Sequence, residues 1–335
     1  MTKRVLTGAT TISNWTSIAG ALQGMLAFLG ARHDRATVMG ITGHAFRLAI
    51  WTSSEGIADG ESAARFDHER ALPLYTGLGY SIRRICVSPE DPDYEHRRQE
   101  AIRQIRRSVD HGRPVAAYGL QVPDFGVIKG YDDRSEVFYV NTNVSSQYGE
   151  TLPLPQWPAP GHLQSIDVIL PGDRRRVNRR ETERAALLFA VQYADQGEPA
   201  GPANTAHGFA AFERWLQGYA EPDSLARFGN CRCIQVVQAA RRDAAGFLHA
   251  IAPTYPLPVQ GALESAAAAY RQEALAFSRL ANLFPFPNGG ETSSPAALAI
   301  GAGSLRQALI HEQAAVSAIR DALIRLGPEG FPKTK

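Results

Sequence analysis

Apolar residues recur at helical spacing between Ser17 and Leu29, where Ile18, Ala21, Leu22, Met25, Leu26 and Leu29 fall on one face. The pattern predicts a buried helix with Thr16 or Ser17 as its N-cap and Gly30 as a left-handed stop. A thinner stripe of Ile102, Ile105 and Val109 among many charges predicts a surface helix from Tyr94 to Asp110, ended by His111-Gly112-Arg113-Pro114. Three β-rich runs follow, Val115 to Leu120, Gly126 to Tyr131 and Val137 to Val140. The turn at Asp132 to Ser135 makes them neighbouring antiparallel strands. A further strand is expected over Ser165 to Leu170.

A proline-rich stretch from Thr151 to Pro160 breaks regular structure, and the basic run Arg174 to Arg184 marks a change of composition. Beyond it the chain turns alanine-rich and helical in period, with helices expected near 181–196, 207–219, 232–252, 260–284 and 295–326. The expected fold class is α+β, an antiparallel-sheet domain over residues 1–175 followed by an α-helical domain over 176–330. Leu263, Tyr270, Phe277, Leu280 and Phe284 recur near heptad spacing, which suits either core packing or the face of a homodimer.

Composition narrows the function classes. The chain has 335 residues, 44% of them apolar, which is enough for a core without staples. Its 35 basic and 33 acidic side chains leave a formal charge of +2, so no global field selects nucleic acid, and affinity for polyanions needs a local patch. Three cysteines are not a disulfide framework, and a reducing cytoplasm is expected. The N-terminus lacks an apolar signal region, and no run is long enough to predict a membrane span. Cys231 and Cys233 are one residue apart, too close for the usual zinc or redox pair, so no metal site and no cofactor are expected. Cys86, between Ile85 and Val87, reads as a small buried side chain. Gly77 and Gly79 lack the lysine and hydroxyl of a phosphate loop.

The run from Ser17 to Gly30 resembles the nucleophile helix of bacterial papain-like cysteine peptidases that process bacteriocin leaders, with Gly20, Ala21, Leu22, Met25, Leu26, Phe28 and Gly30 matching or nearly matching. Asp124-Phe-Gly-Val-Ile-Lys-Gly130-Tyr131-Asp132 is similar to the strand that carries that family's catalytic histidine. The resemblance implies a papain-like fold for the first half. It places Ser17 where the family has cysteine, Asp124 where it has histidine, and Asn141 where it has Asp or Asn. The layout of such a half followed by helices is also similar to the butirosin-type acyltransferase family.

A papain-like site needs a thiolate at a helix N-terminus beside an imidazolium. Serine would need a positioned base, and a carboxylate is a weaker one than histidine. Ser17, His44, Asp124 and Asn141 are the candidate catalytic residues, with His44 a base supplied from elsewhere. Trp15, Thr16 and Arg47 are the candidate ligand contacts, Arg47 because a guanidinium fork suits carboxylate or phosphate. Each has a plainer alternative: a cap at Ser17, a turn at Asp124 and Asn141, a structural histidine at His44 and an ion pair at Arg47. Loss of both cysteine and histidine favours a repurposed cleft between the halves that binds a small molecule or peptide. An acyl or amide transferase or hydrolase using Ser17 is the alternative.

Overall fold

The computed structural model describes residues 2–64, 66–158, 165–198, 204–221 and 223–327. In chain order the first elements are Lys3–Val5 (β1), Ser17–Phe28 (α1), Arg35–Ile41 (α2), Ala49–Ser53 (β2), Gly56–Ile57 (β3) and His68–Thr76 (α3). Tyr80–Val87 (β4), Tyr94–Asp110 (α4), Val115–Tyr118 (β5), Phe125–Asp132 (β6), Val137–Asn141 (β7), Ser145–Tyr148 (α5), Thr151–Pro153 (β8) and Ile166–Arg174 (β9) follow. Then come Arg179–Gln196 (α6), Thr205–His207 (β10), Gly208–Ala220 (α7), Arg227–Ile251 (α8), Leu257–Leu283 (α9) and Pro295–Arg325 (α10). The protein is mixed α+β, with an antiparallel sheet and a helical C-terminal region.

The chain forms two compact units, residues 1–38 with 75–177, and residues 39–74 with 178–335. A single cut near residue 175 therefore does not describe them, because residues 39–74 pack with the C-terminal helices. A Cβ on Gly40 would lie 2.2 Å from the Phe247 ring, and Phe46 meets Phe247 and Tyr270 at centroid distances of 6.2 and 5.9 Å.

In the first unit an antiparallel sheet runs β4-β9-β5-β6-β7-β8, and β1 pairs with the far end of β6. Both α1 and α4 pack on β6, whose first seven residues are buried on both faces, so the strand shows no apolar–polar alternation and buries even Lys129. The Ile18, Ala21, Leu22, Met25 and Leu26 stripe is buried as its spacing predicts. Gly30 ends the helix at φ +90° and donates its N–H to the Ala27 carbonyl. Strand β4 is an addition to the sequence reading. Its side chains SIRRIC mix charge with apolar groups because it is the sheet edge.

In the second unit α7 to α10 enclose Trp215, Tyr219, Phe277, Leu280, Phe284 and Leu305, and a small sheet β10-β2-β3 lies against α7. The helical half thus also carries strands. Leu263, Tyr270, Phe277, Leu280 and Phe284 are all fully buried within the chain, so this stripe is core and not an exposed dimer face. No helix among the described residues is long and apolar enough to cross a membrane.

Cys86 is exposed, not buried, because it lies on the edge strand. Cys231 and Cys233 are buried, and burial raises both thiols, Cys233 to about 12. Titration of the native protein with a disulfide reagent at pH 8 is therefore expected to modify Cys86 alone, with the other two reacting only after denaturation. Rapid release of more than one equivalent from the folded protein would contradict this packing.

Candidate functional site

Ser17 is the first residue of α1, and Thr16 holds the N-cap position without a side-chain cap bond. The Ser17 hydroxyl does not cap the helix. It reaches across to the sheet, where its Oγ accepts the N–H of Phe125 at 3.1 Å, the one hydrogen bond this side chain makes among the described residues. The start of β6 is thereby joined to the helix N-terminus, and Asp124 is the residue immediately before the bonded amide. The Asp124 backbone closes the loop between β5 and β6, its N–H donating to the Val122 carbonyl and its own carbonyl accepting from Gly119.

Asn141 ends β7, opposite Val127 of β6. Its Oδ1 accepts the Thr11 N–H at 2.8 Å and its Nδ2 donates to Glu150 Oε1 at 3.0 Å, so both ends of the amide are committed away from Ser17. Lys129, followed by Asn141, holds the Glu150 carboxyl below its ordinary value. Asn14 Oδ1 takes the Thr16 N–H, which fixes the approach to the helix, and Trp15 is 42% exposed beside it. The first unit thus brings Trp15, Thr16, Ser17 and Asp124 to one locus, with Asn141 bracing the segment that leads into it.

His44 and Arg47 belong to the second unit. They form a one-turn pair in which Arg47 Nη1 donates to His44 Nδ1 at 3.0 Å, while the guanidinium lies 3.3 Å from the centre of the Phe66 ring. Burial, then the charges of Arg47 and His68, pushes the imidazole well below its ordinary value and keeps it neutral. A second buried pair stands in the same unit. The Tyr193 hydroxyl meets both the Leu48 carbonyl and His207 Nδ1 at 3.0 Å, and burial lowers His207 to about 4. Nothing local in the sequence links Tyr193 to His207; they meet where the end of α6 packs against the His207-Gly208 turn, with His207 opposite Ala49 of β2.

A cavity of about 830 Å³ opens in the first unit, lined by Tyr94, Leu120, Gln121, Tyr148, Pro155 and Trp157 among others. Leu120 and Gln121 come from the same β5–β6 loop that carries Asp124. Gln121 is held there by Thr142 Oγ1, which donates to its Oε1 at 2.5 Å, and by its own donation to the Gly149 carbonyl. The stretch Thr151 to Pro160, expected to break regular structure, instead opens with strand β8 over Thr151–Pro153, and its last two residues lie outside the described ones. The signal lay in the alternation of proline with Tyr148 and Trp157, which builds a rigid aromatic wall.

No known protein-family model matches the chain, and no curated protein is found to be significantly similar to it. Among the described residues no three His, Cys, Asp or Glu side chains cluster so as to hold a metal ion.

Proposed function

We propose that the first unit is a papain-like module in which peptidase chemistry has given way to the binding of a small molecule or peptide. The observation that supports this reading is the Ser17 hydroxyl. It stands at the helix N-terminus against the strand start, where a nucleophile belongs, yet among the described residues its only bond is to a backbone N–H and not to a base. An alkoxide is inaccessible at neutral pH without such a base, so the locus suits recognition better than acyl transfer. The cavity bordered by Gln121 and Trp157 supplies volume and aromatic surface for a ligand, within the range of ordinary small-molecule sites.

Restoring the missing groups tests the reading. In the double variant Ser17→Cys/Asp124→His, a papain-like arrangement pairs the introduced thiol with the introduced imidazole, and the helix end further favours the thiolate. The rate of alkylation by iodoacetamide at pH 6, mapped to peptide 17–30, is expected to exceed that of Ser17→Cys alone by about tenfold or more. Equal rates in the two variants would mean that position 124 is not the partner of position 17. The wild-type protein is expected to be inert to fluorophosphonates. Labelling at Ser17 would instead establish the acyl-transfer alternative. A ligand found by thermal shift among peptides, amino acids and amino sugars should lose its effect in Gln121→Ala if it occupies this cavity.

A further inference from the structure

A second cavity of the first unit, of about 450 Å³, shares no lining residue with the one beside Gln121. Its walls are the edge strand β4, the C-terminal turn of α4 and the last part of β9, and they present Arg83, Arg107, His111 and Arg113 with no carboxylate among the lining residues. Such a concentration is not expected from a chain of formal charge +2, in which basic and acidic groups nearly balance.

The three guanidiniums are differently held. Arg83 Nη2 donates to Gln104 Oε1 at 2.9 Å, and Gln104 is in turn oriented by donating to Glu100. A neutral amide therefore aims Arg83 without cancelling its charge. Arg113 pairs with Asp173 at 2.8 Å, but that carboxylate is 89% exposed, so the ion pair is screened and yields readily to a competing anion. The Arg107 guanidinium has no hydrogen-bond or ion-pair partner among the described residues. His111, also in the lining, donates its Nδ1 to the Arg107 carbonyl. Arg174, Arg175 and Arg176 continue β9 as an exposed run at the same end of the sheet, Arg174 opposite Tyr80.

We infer that this cavity is a binding site for a small molecule carrying a phosphate or diphosphate group, held by Arg83, Arg107 and Arg113. Guanidinium forks match phosphate oxygens two at a time, and three of them around one concavity suit a multiply charged, compact group. A nucleic acid would instead be met by a stripe of cations along a surface, with affinity spread over many of them. The inference stands apart from the papain-like reading, since it uses neither Ser17 nor the Gln121 cavity.

Calorimetric titration of the full chain with inorganic pyrophosphate, orthophosphate and a 20-nucleotide single-stranded DNA tests it. Pyrophosphate is expected to bind saturably at one site and more tightly than orthophosphate. The variant Arg107→Gln removes no internal bond, so it is expected to keep the wild-type unfolding temperature while weakening pyrophosphate by about tenfold, as is typical when one charge-assisted contact is lost. Arg83→Gln should weaken pyrophosphate by a similar factor, with a small loss of stability from its exposed hydrogen bond to Gln104. Arg174→Gln/Arg175→Gln/Arg176→Gln should leave pyrophosphate affinity within about twofold, because these side chains lie outside the cavity. Absence of saturable pyrophosphate binding overturns the proposal. So does pyrophosphate binding that ignores Arg83 and Arg107 but falls with the triple variant, and so does DNA binding tighter than pyrophosphate that depends on all six arginines.

Discussion

Replacing Arg241 by methionine is expected to destabilise the second unit by about 3–5 kcal/mol, the range for removing one partner of a fully buried ion pair. Arg241 is 0% exposed on α8, and its Nε donates to Glu273 of α9 at 2.9 Å and to Glu312 of α10 at 2.8 Å. Its Nη1 donates to the carbonyls of Ala45 and Arg47. One side chain thus ties three helices to the turn that carries His44 and Arg47. Burial, opposed by Arg241 and reinforced by Glu312, pushes the Glu273 carboxyl well above its ordinary value, so the cluster keeps a proton on Glu273. Arg241→Met strands the remaining carboxylate in the core and frees the turn. In a unit of this size each kcal/mol lowers the unfolding temperature by roughly 2–4 °C, so a fall of about 6–20 °C is expected in calorimetry. A loss below about 1 kcal/mol would show that water reaches the cluster.

The same cluster sets a pH dependence. Glu273 is raised in the folded state, so between its ordinary value of 4.5 and its folded value the unfolded chain releases a proton that the folded chain retains. Stability from this group is present in full below about pH 4.5 and is lost as pH rises through that window. Glu273→Gln, which mimics the neutral acid, should fold and should flatten the decline, visible in urea unfolding at pH 5 and pH 8.

The second large effect is expected at Gly24. A Cβ there would lie 1.8 Å from the Thr10 carbonyl oxygen, and one on Gly20 would lie 2.1 Å from that of Ile12. The segment 10–12 is thus laid on the bare backbone of α1, joined to it by the Ile12 N–H donating to the Gly20 carbonyl at 3.1 Å. Backbone cannot turn aside as a side chain can. Gly24→Ala is expected to cost about 2–3 kcal/mol through overpacking, even though alanine's helix propensity returns up to about 1 kcal/mol. Any shift of segment 10–12 also pulls on Thr11, whose N–H is held by Asn141. Gly303→Ala provides the contrast. Its Cβ would meet nothing within 4 Å on α10, so it should be neutral or stabilising by about 0.5–1 kcal/mol. Equal effects at the two positions in chemical denaturation would refute the close approach.

What the sequence discloses follows from how local each cause is. The α1 stripe, Gly30 and the strands at 115–118, 125–132 and 137–141 were legible because periodicity and turn residues act within a few positions. The edge strand β4 was not, since Arg83 and Arg84 put a charge on each of its faces and mask the alternation, Arg84 being paired with the buried Asp167. The charged side chains of Arg241, Glu273 and Glu312 look like a solvated helix face until three helices converge on them. At the site, Ser17 and Asp124 could be picked out in advance as neighbours. The donor that occupies Ser17, the amide of Phe125, has no side-chain signature and emerges only from packing. Likewise, the pattern in residues 39–74 reports burial without naming the partner, which lies more than a hundred residues downstream.

That last arrangement bears on how the protein is made. The chain passes from one unit to the other after residues 38, 74 and 177. During vectorial synthesis Ile41, Phe46, Leu48 and Ile50 leave the ribosome long before Phe247 and Tyr270, against which their segment is buried. The nascent chain therefore carries an uncovered apolar loop until α8 and α9 arrive, an interval in which chaperone binding or aggregation competes with folding. Fragments that stop at the end of the first unit retain that loop permanently, whereas excising residues 39–74 with a short linker removes the liability along with the second unit's foundation.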